Sequence, residues 1–154
     1  MNSRNQFHRM SDDRQNYPYH KVTPDDYFAD KKDGIIRENL FSEDADKIAK
    51  SFQDGMKNRG SQVRKFYDEL LKRKMIIDLA EDKNREFARQ LPYIKMVVSK
   101  AHYGYNRKPK TVSKNFKSFL EDNINGISNK EEFFVFCDLF EAVVAYSKQY
   151  LRDN

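Results

Sequence analysis

The stretch from Asn129 to Leu151 decides the fold, and it reads NKEEFFVFCDLFEAVVAYSKQYL. Its large apolar side chains recur at steps of three and four residues, which is the period of an amphipathic α-helix. The segment Ser128-Asn129-Lys130-Glu131 matches a capping box, so this helix is predicted to begin there. The face predicted to be buried comprises Phe133, Phe136, Cys137, Phe140, Val143, Val144, Ser147 and Tyr150.

Four further stretches upstream show the same helical period. They are a helix capped by Ser42 that runs from Phe41 to Met56, a long helix capped by Ser61 that extends towards Leu79, a helix from Pro92 to about Tyr103, and a short helix capped by Thr111 or Ser113 that ends at Asn125-Gly126. No segment shows the sustained alternation of a half-buried strand. The fold class is therefore predicted to be all-α, a compact bundle of five to six helices.

Proline and glycine punctuate the middle of the chain. Proline is best tolerated in the first turn of a helix, so Pro92 predicts a break near Leu91, after the charged but helix-compatible run 81–90. The helix that follows is apolar on most sides and is expected to be the central element. The segment 104–110, GYNRKPK, is expected to be a loop.

Residues 1–38 are predicted to be a poorly ordered polar tail, and residues 39–154 a single helical-bundle domain. The tail mixes charged residues, Asn and Pro without a sustained apolar period. Its apolar islands, which could dock onto the domain or onto a neighbouring subunit, are Tyr17, Tyr19, Tyr27, Phe28, Ile35 and Ile36. No signal peptide or membrane-length apolar run is present, and Cys137 is the only cysteine. These features favour a soluble protein of the reducing cytoplasm.

Positive charge is concentrated in one part of the sequence. Between Met56 and Lys110 there are fifteen Lys and Arg against six Asp and Glu, whereas the whole chain has a net charge of only +5. Such a local excess indicates a surface that meets phosphate or another acidic partner, the alternative being a merely solvated lysine-rich face.

Catalytic chemistry has no recognisable pattern here. His8, His20 and His102 are scattered, Cys137 falls on the apolar face of the last helix, and Asp138 with Glu141 suits an outer helix face. No phosphate-binding glycine motif is present. We therefore predict no enzyme activity, no catalytic residue, no metal site and no cofactor.

Basic residues beside Tyr103 and Tyr105 suit a single-stranded nucleic acid, because cations neutralise phosphates and exposed rings stack on bases. The alternative is that both tyrosines pack inward. No helix-turn-helix or RNA-recognition sheet signature is present, so contact with the backbone is favoured over sequence reading.

Three segments, in this order, resemble the small subunit of the type III-A CRISPR effector, the Csm complex. They are SQVRKFYDELL at 61–71, LPYIKMVVSKAHYGYNR at 91–107 and FFVFCDLFEAVVAYSKQYL at 133–151. The resemblance implies a helical, non-catalytic subunit that stacks in several copies along guide RNA and target RNA and contacts other effector subunits. It also implies self-association and RNA-backbone contacts without sequence specificity.

The resemblance assigns RNA contacts to Arg64, Lys65, Lys100 and Arg107, while charge alone adds Lys72, Arg73, Lys108 and Lys110. The alternative function is a helical protein–protein scaffold whose basic face docks an acidic protein partner.

Overall fold

The computed structural model describes residues 17–57 and 59–153, and helices dominate this part of the chain. The first sixteen residues of the predicted tail lie outside the described residues. Five α-helices are described: α1 (Ala45–Ser51), α2 (Arg59–Asp78), α3 (Lys83–Asn106), α4 (Lys114–Ile124) and α5 (Lys130–Ser147). A one-turn 3-10 helix (Pro24–Asp26), a two-stranded antiparallel hairpin of β1 (Phe28–Asp30) and β2 (Ile35–Ile36), and a π-helical turn (Leu40–Asp44) precede α1. The predicted all-α bundle of five to six helices is confirmed.

Helix α5 lies at the centre of the bundle, and α1 and α2 pack against it. Every residue of its predicted helical face, from Phe133 to Ser147, is buried. The ring of Phe140 lies 5.4 Å from that of Phe119 and 6.1 Å from that of Phe116, centroid to centroid, so α4 is fixed on the same core. The expectation that the helix after Pro92 is central was wrong, because that helix exposes Tyr93, Met96 and Tyr103.

Helix α3 runs without interruption through Pro92, so the predicted break near Leu91 was wrong. A proline in a helix interior costs about 3 kcal/mol, but buried Phe87 and Ile94 anchor the helix on either side of it. The helix also continues to Asn106, and Gly104 is therefore helical rather than the start of a loop.

Gly104 allows the loop after α3 to fold back closely on the helix. Thr111 donates its backbone N–H to the carbonyl of Gly104 over 2.9 Å. A Cβ atom at position 104 would lie 2.7 Å from Thr111 Oγ1, which is too close for two unbonded atoms. The basic loop 107–113 is thereby fixed against the end of α3.

The predicted N-cap is correct for α4 and is one residue away from the observed N-cap for α5. Ser113 caps α4 and accepts from the backbone N–H of Phe116 over 3.2 Å, as predicted. The cap of α5 is Asn129 rather than Ser128: its Oδ1 accepts from the backbone N–H of Glu132 over 2.8 Å. The carboxylate of Glu132 in turn accepts from the backbone N–H and the hydroxyl of Ser128. The box is therefore shifted by one residue.

Residues 17–38, predicted to be part of a flexible tail, pack against the helices. Tyr27 is fully buried and donates its hydroxyl to Asn123 Oδ1 over 2.7 Å, and Tyr19 donates to Asp122 Oδ2 over 2.6 Å. Two of the apolar islands thus supply both buried area and hydrogen bonds to α4, which offsets the ordering entropy of the segment.

Candidate nucleic-acid interface

A groove lies between the N-terminal half of α2 and the C-terminal half of α3, and it encloses a volume of about 560 Å³. We call it the α2–α3 groove. A short turn joins the two helices, which makes them antiparallel neighbours. Four of the predicted RNA-binding side chains line this groove: Lys65 and Lys72 from α2, Lys100 from α3 and Arg107 from the following loop. Four cations from three segments therefore face one concave surface.

Acidic side chains partly compensate this charge. Glu69 also lines the groove, and its Oε1 lies 3.0 Å from Arg73 Nη2 and 3.9 Å from Lys100 Nζ. The hydrogen bond from Arg73 and the nearby Lys100 ammonium hold the pKa of Glu69 below its ordinary value, so Glu69 is ionised at neutral pH. Asp68 contributes the second carboxylate of the lining.

Tyr103 stands at the same groove with 69% of its surface exposed, so the alternative that it packs inward was wrong. The guanidinium carbon of Arg107 lies 5.9 Å from the centroid of its ring. Tyr105 is only half-buried, and two ammonium groups approach its ring, that of Lys110 at 3.7 Å and that of Lys117 at 4.7 Å. An exposed ring beside cations is the arrangement on which bases of a single strand stack.

The other four predicted RNA-binding residues lie outside the α2–α3 groove. Arg64 is exposed on another side of α2, near Lys148, the residue that follows α5. Arg73 is occupied within the molecule, since it also donates to Gln90 Oε1 over 3.1 Å and stacks 4.9 Å from the ring of Tyr93. Its position makes it a brace between α2 and α3.

Lys108 and Lys110 belong to the loop after α3, and both are exposed. Lys110 lines a neighbouring groove with Lys57 and Arg152 rather than the α2–α3 groove. Charge counting along the sequence could not separate these two surfaces, because it does not show which side chains share a face.

The groups with potential for chemistry lie apart from the groove. Cys137 is buried in α5, and burial raises the pKa of its thiol well above the ordinary value. His102 Nε2 lies 3.3 Å from Glu121 Oε1, a carboxylate partner on α4 that the sequence did not predict. Asp138 lies 3.7 Å from Lys74 Nζ. Within residues 17–57 and 59–153, no three His, Cys, Asp or Glu side chains are close enough to hold a metal ion.

Sequence reasoning did not identify Glu69 as a residue of the α2–α3 groove, nor Lys57 and Arg152 as residues of the neighbouring groove. The spacing of Lys65, Asp68, Glu69 and Lys72 at three and four residues signals that they share one helix face, and that signal could have identified Glu69. No local signal brings Lys57 and Arg152 together, because they are near opposite ends of the domain.

The family described as Csm2 Type III-A matches residues 37–153 of the chain. Because this match covers most of the sequence, the chain belongs to that family, and it is a small subunit of a type III-A CRISPR effector complex. Comparison with curated proteins and with solved structures gave no match. None of the helices within the described ranges is both long and apolar enough to cross a lipid bilayer.

Proposed function

We propose that this small subunit is non-catalytic and binds the sugar-phosphate backbone of guide RNA and target RNA without reading the base sequence. The observation that carries the proposal is the convergence of Lys65, Lys72, Lys100 and Arg107 on the α2–α3 groove. Exposed lysines and arginines bind phosphates by releasing counterions, and this binding is independent of sequence.

The exposed Tyr103 ring adds a stacking surface that suits any base, since every base has a π-face. Self-association, contact with other effector subunits and a cytoplasmic location belong to the same proposal. The buried thiol of Cys137 and the separation of His102 from the groove support a binding role rather than a catalytic one.

Fluorescence anisotropy with labelled single-stranded RNA tests the proposal. The variant K65Q/K72Q removes two exposed ammonium groups from one wall of the groove. For a single strand, the binding constant varies with the salt concentration to a power of about −0.7 for each phosphate contact. At about 0.1 M salt, each contact therefore raises the affinity about fivefold over its value at about 1 M salt. We expect the variant to bind RNA about 25-fold more weakly.

The matched control is K32Q/K47Q, which removes two exposed lysines from the β1–β2 turn and from α1, neither of which lines the α2–α3 groove. Its affinity should change little. If K65Q/K72Q binds RNA as the control does, the groove is not the RNA site. If the variant instead loses binding to a polyglutamate peptide alone, the alternative function, docking of an acidic protein, replaces the proposal.

A further inference from the structure

A second basic groove adjoins the first. It encloses a volume of about 520 Å³ and lies where the start of α2 meets the loop after α3 and the C-terminal end of the chain. We call it the Lys57–Arg152 groove. It shares Gln62 and Thr111 with the lining of the α2–α3 groove, so the two grooves are continuous at that point.

The second groove has less compensating negative charge than the first. Its described lining includes four cations, Lys57, Arg59, Lys110 and Arg152, and no Asp or Glu. Arg59 is buried and paired with Asp54, whose Oδ2 lies 2.9 Å from Arg59 Nε. Lys57, Lys110 and Arg152 are exposed, and no carboxylate of the described residues forms a salt bridge with any of them.

Hydrogen bonds from Arg59 and Gly60 connect the three segments that line this groove. Its Nη1 donates to the carbonyl of Lys110 over 2.9 Å, which ties the loop after α3 to the start of α2. The backbone N–H of Gly60 donates to the carbonyl of Arg152 over 3.5 Å, which adds the end of the chain. Lys110 and Arg152 therefore sit on backbone that is held in place before any ligand binds, and this lowers the entropy cost of binding.

We propose that the phosphate backbone of the RNA continues from the α2–α3 groove into the Lys57–Arg152 groove, where Lys57, Lys110 and Arg152 contact it. This inference rests on the proposed function. Like charges held together without carboxylates attract a polyanion strongly. A continuous chain of phosphates can occupy both connected grooves at once, because its charge repeats along its length.

Among the described lining residues, Met56 is the one large apolar side chain that is exposed, and this disfavours a protein ligand. A docked protein segment needs an apolar contact at the centre of its interface. An RNA backbone needs mainly cations and hydrogen-bond donors, and the side-chain amide of Gln62 is such a donor where the two grooves meet.

The variant K57Q/R152Q in the full chain tests the inference with the same RNA anisotropy assay. We expect affinity for single-stranded RNA to fall about 25-fold at about 0.1 M salt, through loss of two phosphate contacts. The charge-conserving variant K57R/R152K should bind as wild type. Circular dichroism of each variant checks that the helices are retained, and K32Q/K47Q serves as the control for total charge.

The other possible results distinguish failure of this inference from failure of the proposed function. If K65Q/K72Q weakens RNA binding and K57Q/R152Q does not, the second groove is not part of the RNA path and the proposed function stands. If neither differs from K32Q/K47Q, both proposals fail. If K57R/R152K also loses affinity, packing rather than charge is responsible and the inference is overturned. Loss of polyglutamate binding alone in K57Q/R152Q overturns it in favour of an acidic protein ligand.

Discussion

Replacement of Glu69 by Gln should make the subunit bind RNA more tightly, although the substitution adds no positive charge. Glu69 lines the α2–α3 groove with its carboxylate 3.9 Å from Lys100 Nζ. In the free protein this carboxylate attracts Lys100, which is one of the four cations of the groove. It also repels any phosphate that approaches Lys100. The E69Q change keeps the size of the side chain and removes only the charge.

The expected gain follows from these positions. A phosphate about 4 Å from Lys100 lies within about 8 Å of the Glu69 carboxylate, where the repulsion is about 0.5 kcal/mol in water and about twice that at half the dielectric constant. Lys100, once released from Glu69, can make a stronger phosphate contact, which raises the affinity for RNA by a further factor of at most about five at about 0.1 M salt. Together these effects predict RNA binding about 2- to 30-fold tighter than wild type.

The assay is fluorescence anisotropy with single-stranded RNA, and the matched control is E141Q, an exposed carboxylate on α5 that lines neither groove. Loss of the Glu69–Arg73 pair should lower the free energy of unfolding by only about 0.3–0.5 kcal/mol. Gln90 and Tyr93 still hold Arg73, so the groove keeps its shape. Unchanged or weaker RNA binding in E69Q, with E141Q at the wild-type level, would refute the electrostatic account of the groove.

Three predictions concern the fold that positions the groove. Tyr27→Phe leaves Asn123 Oδ1 buried without its donor and should cost about 1–3 kcal/mol, seen as a fall of at least about 2 °C in Tm; an unchanged Tm would contradict the docking of residues 17–38. Burial raises the pKa values of Tyr27 and Cys137, so above about pH 9–10 the unfolded chain releases protons that the folded chain retains. The free energy of unfolding, measured by urea titration, should therefore fall as the pH rises. The fall should be shallower in the C137A variant. Gly104→Val forces a side chain against Thr111 and should lower the free energy of unfolding by about 1–3 kcal/mol in urea titration, and T111A should restore part of that loss.

The sequence predicted those parts of the fold in which one periodic pattern extends over many residues. Seven of the residues predicted for the buried face of α5, from Phe133 to Ser147, are buried, because one apolar stripe repeats along the helix. The prediction missed the buried Val135 and Leu139, and Tyr150 lies beyond the helix and is only half-buried. The cap of α4 at Ser113 followed from a local rule. The continuity of α3 through Pro92 could not be predicted locally, since packing of Phe87 and Ile94 on the bundle outweighs the preference of proline.

The candidate site was predicted in outline but not in its geometry. The family resemblance and the local charge together indicated the cations of the α2–α3 groove, but only the packing of α2 against α3 shows that Lys65 and Lys100 share one groove. The same packing occupies Arg73 with Glu69 and Gln90, which a count of charges cannot show.

The most direct test of the central claim is the salt dependence of RNA binding by wild type and by K100Q/R107Q, which removes the cations of the other groove wall. If these side chains each contact one phosphate, the slope of log K against log salt should become less negative by about 1.4 in the variant. Circular dichroism and the K32Q/K47Q control separate this effect from loss of fold or of general charge. A slope for K100Q/R107Q equal to that of wild type would contradict RNA-backbone binding in the α2–α3 groove.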